Sequence, residues 1–326
     1  MKKFLHINAS TVDEAVSILR QYDGSAKIIA GGTDLLGQIK NRVHPVMPEV
    51  LVNIKTIPNL EYIKEDEEGL KIGALTKLRD IASNPIVKRK YTALAQAAHA
   101  VASPHIRGMG TIGGNLCQDS RCWYYRASKN YFPCLRKRDA KKGAVCYAVA
   151  GDHRYHSIFG AVNRCLAVNP SDTAPALVAL NAKMKTTKRI VEAGDFFDVG
   201  PERTTVLETD EILTEIQASL PKMETESIFV KYSLRKVIDF PIVNCAIALT
   251  REKGLVKESR ICLNAVYNLP YRPAKAEKCL TNQPIDESVA DEVSQKAMED
   301  AKPLRDNRYV VPIAKWLIKR ALLSCK

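Results

Sequence analysis

Two glycine-rich stretches and a group of cysteines carry the chemistry that can be read in this sequence. The first stretch, Ala30-Gly31-Gly32-Thr33-Asp34, empties from the apolar run Lys27-Ile28-Ile29. Adjacent glycines free the backbone to adopt positive φ, and successive N–H groups can then converge as a concave nest for an anion such as pyrophosphate. Thr33 and Asp34 add a hydroxyl and a carboxylate. Taken alone, such a stretch is better explained as ordinary turn chemistry. The second stretch, Gly108-Met109-Gly110-Thr111-Ile112-Gly113-Gly114-Asn115, shifts that balance. Two nests in one domain suit a diphosphate dinucleotide touched from two sides. Neither is a Walker A loop, because no Gly-Lys-Ser/Thr follows. Neither fits G-x-G-x-x-G between a strand and a helix, which disfavours a Rossmann site.

The chain has nine cysteines and is expected to carry no export signal, so a disulfide framework is disfavoured and metal binding or core thiols remain. Cys117, Cys122, Cys134, Cys146 and Cys165 are the candidate ligands. Soft sulfur ligands favour iron–sulfur clusters or zinc over hard cations. Spacing settles little: eleven residues separate Cys122 from Cys134 and Cys134 from Cys146, and eighteen more precede Cys165. Zinc sites use tighter pairs, and only Cys117–Cys122 comes near that. Charge is more informative. Residues 121–143 hold eight Lys or Arg against Asp139, or +7 of the chain's net +13. Four thiolates around a four-iron core leave a net charge of about −2, which nearby cations would offset while lowering thiolate pKa values. Trp123, Tyr124, Tyr125, Tyr131 and Phe132 could shield such a group from water. Cys245, Cys262, Cys279 and Cys325 sit in apolar or terminal settings and read as structural thiols.

The elements that must hold these residues alternate in an α+β pattern. Ser10 and Thr11 cap a helix through Asp13 and Glu14, with Val12, Ala15, Val16 and Leu19 on one face. Strands are expected at Lys27–Ala30, Leu51–Ile54 and Leu70–Gly73, with a charged turn at Lys64–Glu68, and helices at Thr76–Ala82 and Tyr91–Val101. Strand and helix character returns at Ala174–Leu180. Pro221 marks a plausible boundary, dividing the chain into 1–221 and 222–326. Beyond it, strands are expected at Ile242–Leu249 and Ile261–Val266, then amphipathic helices near Asp286–Ala301 and Ile313–Leu323. No internal repeat or low-complexity tract interrupts the series.

With 326 residues, of which 46% are hydrophobic and 26% charged, the chain can bury a sizeable core and is not expected to be disordered. No stretch approaches the roughly 18 apolar residues that span a bilayer. The start, MKKFLHINAS, does not look like a signal peptide, so the chain is expected to be cytoplasmic, although a partner could carry an export signal. The net charge raises nucleic acid as a partner, but that leaves both glycine stretches unexplained.

The ordered segments IIAGGTDLL, GTIGGNL and NPSDTAPALVALNA, followed by KYSLRKVIDFPIVNCAIAL, resemble the FAD-binding subunits of the xanthine dehydrogenase, carbon monoxide dehydrogenase and 4-hydroxybenzoyl-CoA reductase family over the whole chain. The resemblance implies a two-lobed FAD domain of the vanillyl-alcohol-oxidase type, followed by a small domain of a three-stranded antiparallel sheet with helices. It implies that Ile28, Ile29, Ala30, Gly31, Gly32, Thr33, Asp34 and Leu35, with Thr111, Ile112, Gly113, Gly114 and Asn115, cradle the FAD diphosphate and neighbouring groups. Asp172 would be a polar FAD contact, and Lys231 a flavin-side one. His105 would line the FAD site, while His99, His153 and His156 read as surface or structural residues. The cysteine-bearing segment departs from most members and is similar to an insertion near 117–165 in a subgroup that binds an extra [4Fe–4S] cluster, whose ligands fall on Cys122, Cys134, Cys146 and Cys165. The implied role is electron transfer without catalytic residues toward the organic substrate. A large molybdopterin-binding subunit and a small [2Fe–2S] subunit would be partners, in a heterotrimer or a dimer of heterotrimers, with an external electron donor or acceptor. A self-sufficient FAD-dependent oxidoreductase of the same fold is the alternative.

Overall fold

The computed structural model describes residues 3–137 and 143–325. Its first lobe is a parallel sheet in which β3 (Val50–Asn53) lies between β1 (Leu5–Asn8) and β2 (Ala26–Ile29). Every residue of β3 is buried, as befits a central parallel strand covered on both faces. The helix Val12–Gln21 packs Ala15, Val16 and Leu19 into this lobe. Its start is capped by Thr11 and Glu14 as expected, although the returning carboxylate bond reaches Ser10, one residue before the N-cap. The Glu14 N–H donates to Thr11 Oγ1 at 3.1 Å, and the Ser10 N–H donates to Glu14 Oε2 at 2.7 Å.

The second lobe is an antiparallel sheet of five strands. Its order is β4 (Ile63–Asp66), β5 (Gly69–Gly73), β10 (Leu213–Ser219), β6 (Lys183–Thr186) and β7 (Ile190–Glu192). Residues 64–66, expected in a turn, instead belong to β4. Charge does not exclude them from a sheet, because β4 is an edge strand with alternate side chains turned outward. Between β7 and β10 runs a small ribbon, β8 (Phe197–Gly200) with β9 (Arg203–Thr205). The helices Leu78–Ser83, Thr92–Ala100 and Thr173–Ala179 complete the core of this lobe.

The C-terminal sheet is an antiparallel meander of β11 (Thr225–Tyr232), β12 (Val243–Glu252) and β13 (Leu255–Asn264). The last strand starts six residues before the expected position. Lys253 (φ 52°) and Gly254 (φ 78°) both take the left-handed region, which closes a two-residue hairpin turn. Alternation along β12 explains why it is buried on both faces. Cys245, Ile247 and Leu249 face the helices Glu287–Ala297 and Val310–Leu323, whereas Ala246 and Ala248 face the core of the second lobe. Small residues on that second face suit the alanine-rich helix Thr92–Ala100, whose Ala93, Ala97 and Ala98 are wholly buried. Cys245, Cys262 and Cys325 are buried core thiols, and Cys279 donates to Glu292 Oε1 at 3.3 Å. No helix of the described residues is long and apolar enough to cross a membrane.

Candidate functional site

A cleft of about 530 Å³ opens where both lobes meet the segment after the second glycine stretch. Cofactor pockets commonly occupy roughly 300–1,000 Å³. Ile28, Ile29, Ala30, Gly31, Gly32, Thr33, Asp34 and Leu35 line it, opposite Thr111, Gly113, Gly114, Asn115 and Asp172. The structure therefore brings thirteen of the sequence-derived positions together. Three stand apart. Ile112 is wholly buried in the second-lobe core, His105 is exposed on the helix Pro104–Met109, and Lys231 lies behind Asp172.

The two glycine stretches differ in construction from the paired nests expected. Only Gly32 takes positive φ (70°). Gly31 is required for space, since a Cβ there would sit 2.1 Å from the Met109 carbonyl oxygen, so the two stretches touch backbone to backbone. The second stretch is the start of a short helix, Ile112–Leu116, capped by Thr111 Oγ1, which accepts from the Gly114 N–H at 3.1 Å. Its other donors are also spent: Ile112 N–H on Thr76 O, Gly113 N–H on Ala74 O and Asn115 N–H on Thr111 O. The N–H groups of Gly31, Gly32 and Thr33 have no partner among the described residues. Open backbone donors, the kind that an anion nest uses, are thus found in the first stretch, and the second forms the opposing wall.

Carboxylates along the cleft are held by the protein itself. Asp34 Oδ1 lies 2.8 Å from both Arg121 and Arg126, and Oδ2 accepts from Gln38 Nε2 (3.0 Å) and the Asp119 N–H (2.9 Å). Burial pushes Arg121 down to about 10 despite Asp34, and its guanidinium stacks on Phe240 at 4.5 Å. Asp172 Oδ2 accepts from Lys231 at 2.7 Å and Oδ1 from Asn244 at 2.8 Å. Burial nevertheless raises this carboxyl above its ordinary value. The buried pair ties the cleft wall to β11 and β12. Asn115 Oδ1 accepts from Ser171 Oγ (2.6 Å) and Thr173 Oγ1 (2.7 Å), joining the second stretch to the Asn-Pro-Ser-Asp turn.

Behind the cleft lies a small separate cavity. Cys122, Cys134, Cys146 and Cys165 all line it, with Tyr124, Tyr125, Tyr147 and Arg136. Cys117 instead lines the cleft. Among the described residues no three His, Cys, Asp or Glu side chains converge closely enough for a single metal ion. The four thiols that line the cavity are of the soft-ligand type that an iron–sulfur cluster would use. Aromatic rings pack beside it, Tyr124 on Phe132 and Tyr147. Tyr131, by contrast, is 77% exposed.

The surrounding charge acts differently from expectation. Burial dominates the thiols and pushes Cys122 up to about 12. It also raises Cys134 and Cys165, with Lys137 and Arg136 opposing only in part. The segment is also less exposed than its composition implies. Lys137 is buried and donates to the carbonyls of Val43 and Tyr125, while Arg136 donates to Arg203 O and approaches Cys165 Sγ at 3.9 Å. Arg138, Asp139, Lys141 and Lys142 lie outside the described residues.

Several residues at these sites were not singled out by sequence reasoning. Asp119 accepts from the Tyr125 hydroxyl at 2.6 Å, and although burial opposes it, Arg126 and Arg136 hold its carboxyl below the ordinary range. His44 lies 2.6 Å from Gln38 Oε1 and 3.0 Å from Glu202 Oε1. His156, expected to be a surface or structural residue, is buried with Nε2 3.2 Å from Cys122 Sγ. Burial pushes its imidazole down to about 4, so it is neutral. The charge noted at residues 121–143 included Arg126 and Arg136 of this network, but not the acids they meet.

The glycine-bordered cleft and the three-stranded C-terminal sheet fall in two separately recognisable parts of the chain. A family model for the FAD binding domain in molybdopterin dehydrogenase matches residues 2–222, and one for the CO dehydrogenase flavoprotein C-terminal domain matches residues 228–324. The chain belongs to this family of FAD-binding oxidoreductase subunits. It is 31% identical to the nicotinate dehydrogenase FAD-subunit of Eubacterium barkeri, over 87% of this chain and 82% of that protein. It is 29% identical to the aldehyde oxidoreductase FAD-binding subunit of Escherichia coli, over 100% and 99%. Among solved structures, a carbon monoxide dehydrogenase from Hydrogenophaga pseudoflava, in a form lacking the Mo-pyranopterin moiety, superposes with a TM-score of 0.78 at 25% identity, over 99% of this chain and 97% of that one.

Proposed function

We propose that this chain is the electron-transferring medium subunit of a molybdenum hydroxylase complex, and that it holds a [4Fe–4S] cluster in addition to FAD. The observation that carries the cluster is the meeting of Cys122, Cys134, Cys146 and Cys165 at one cavity, apart from the cleft. FAD, when bound, supplies the exchange of electrons between one-electron and two-electron partners. The protein's own part is to bind and orient it. The N–H groups of Gly31, Gly32 and Thr33 receive the diphosphate, the Thr111–Asn115 turn closes the opposite side, and the Asp34–Arg121–Arg126 group fixes the first stretch against the segment that bears the cysteines.

The partners in this proposal are a large molybdopterin-binding subunit and a small [2Fe–2S] subunit, in a heterotrimer or a dimer of heterotrimers, with an external donor or acceptor. The complex works in the cytoplasm. Residues 1–221 form the FAD-binding unit and 222–326 the C-terminal one. Flavin and iron analysis of the purified chain, with its absorbance spectrum, tests the cofactors. About one FAD and four irons per chain are expected; FAD without iron refutes the cluster. Purification from its native source tests the assembly, and a chain that oxidises substrate unaccompanied refutes the subunit role.

A further inference from the structure

One side chain at the thiol cavity is left over by the pairing described above. His156 places Nε2 3.2 Å from Cys122 Sγ, while Nδ1 is buried without a partner among the described residues. The ring is held in place. Trp123 and Tyr124 flank it at centroid distances of 5.8 and 6.2 Å, and Asn307 Nδ2 donates to the His156 carbonyl at 2.9 Å. His153 makes the contrast, because both its nitrogens are used: Nδ1 meets Ala148 O and Nε2 accepts the Asp306 N–H, each at 3.1 Å.

We propose that His156 is a positioning residue for the iron–sulfur group, donating its Nε2–H to the Cys122 sulfur when that thiolate binds iron and so raising the cluster's reduction potential. The proposal rests on the four-cysteine reading above. An iron-bound thiolate carries no proton and can only accept, so the ring nitrogen facing it must be the donor. One electron entering from an external one-electron reductant adds one negative charge to the cluster, with no bond made or broken. A hydrogen bond donated to sulfur stabilises the more negative state, and such bonds are among the determinants of cluster potential. The Asn307 contact means that the C-terminal unit helps to hold this donor.

The test compares the full chain with His156→Phe, which keeps a ring but no donor, and His156→Gln, which keeps an N–H. Iron and flavin are assayed, and the cluster midpoint is measured by dithionite titration followed by electron paramagnetic resonance. The expected result is that Phe retains iron and FAD but titrates at a more negative potential, with Gln recovering part of the shift. A tenfold fall in the reduced-to-oxidised ratio at the wild-type midpoint corresponds to about 59 mV for one electron. Equal midpoints in all three proteins overturn the proposal. If Phe loses its iron, retention of iron by Gln near the wild-type potential supports N–H donation, and loss in both overturns it. A wild-type chain without iron overturns the cluster itself, a failure visible before any variant is made.

Discussion

The cleft and the thiol cavity lie on either side of one short segment, Gln118–Cys122, yet they are built on opposite principles. The cleft is made of backbone: its donors are peptide N–H groups, and its essential side chains are the ones that glycine lacks. The cavity is made of side chains carried on irregular loops, and its capacity resides in four sulfur atoms. Adding an atom should therefore damage the first site, whereas exchanging one should damage the second.

The most severe test of that contrast is Gly31→Ala. A methyl group there meets the Met109 carbonyl oxygen at 2.1 Å, so one of the two stretches must move. Overpacking of this kind costs about 1–3 kcal/mol or more, and FAD affinity should fall by roughly 10- to 100-fold in a fluorescence titration, with iron content little changed. Cys134→Ser is its mirror image. On the proposed four-cysteine cluster, iron should drop from about four per chain toward none, while flavin occupancy stays near that of the parent.

Asp34→Asn probes the tie between the two sites. It leaves Arg121 and Arg126 facing a neutral amide, and denaturant titration should show a loss of about 1.5–3 kcal/mol, the range for hydrogen bonds to charged groups. A weaker effect is expected from Asp119. Its carboxyl is depressed in the folded chain, so its stabilisation is present above an unfolded value of about 3.9 and disappears as pH falls through the folded value. Asp119→Asn should flatten the acid limb of stability measured below about pH 4. The smallest effect belongs to Gly37→Ala. Nothing lies within 4 Å of a Cβ at this exposed helical position, so stability should rise by about 0.4–1 kcal/mol. A loss there would mean that flexibility, rather than space, is what the glycines of this lobe provide.

Legibility in the sequence followed the same division. Helix Val12–Gln21 and the strand leading into Gly31 announce themselves through local periodicity and capping residues. The cleft could be anticipated because its parts are contiguous stretches of small residues. The second stretch was read as a nest, but Thr111 turns it into a helix start, and that distinction depends on Thr76 and Ala74 supplying carbonyls from another part of the chain. The network of His44, Asp119 and Glu202 was invisible because each residue alone is an ordinary polar side chain, and only the fold brings them together. His156 could be read only as a surface or structural residue for the same reason, since its contact is with a cysteine 34 positions away.

The double-faced burial of β12 has a consequence for how the molecule comes apart. One strand supplies apolar residues to two cores, so neither the flavin-side nor the terminal-helix side can open without exposing its Ala246–Leu249 stretch. Its amides should consequently exchange with deuterium only through whole-chain opening, the slowest class in the molecule. Heating should give one cooperative transition rather than two. The C-terminal unit is then less a detachable appendage than a clasp, released only when the flavin-binding lobes themselves unravel.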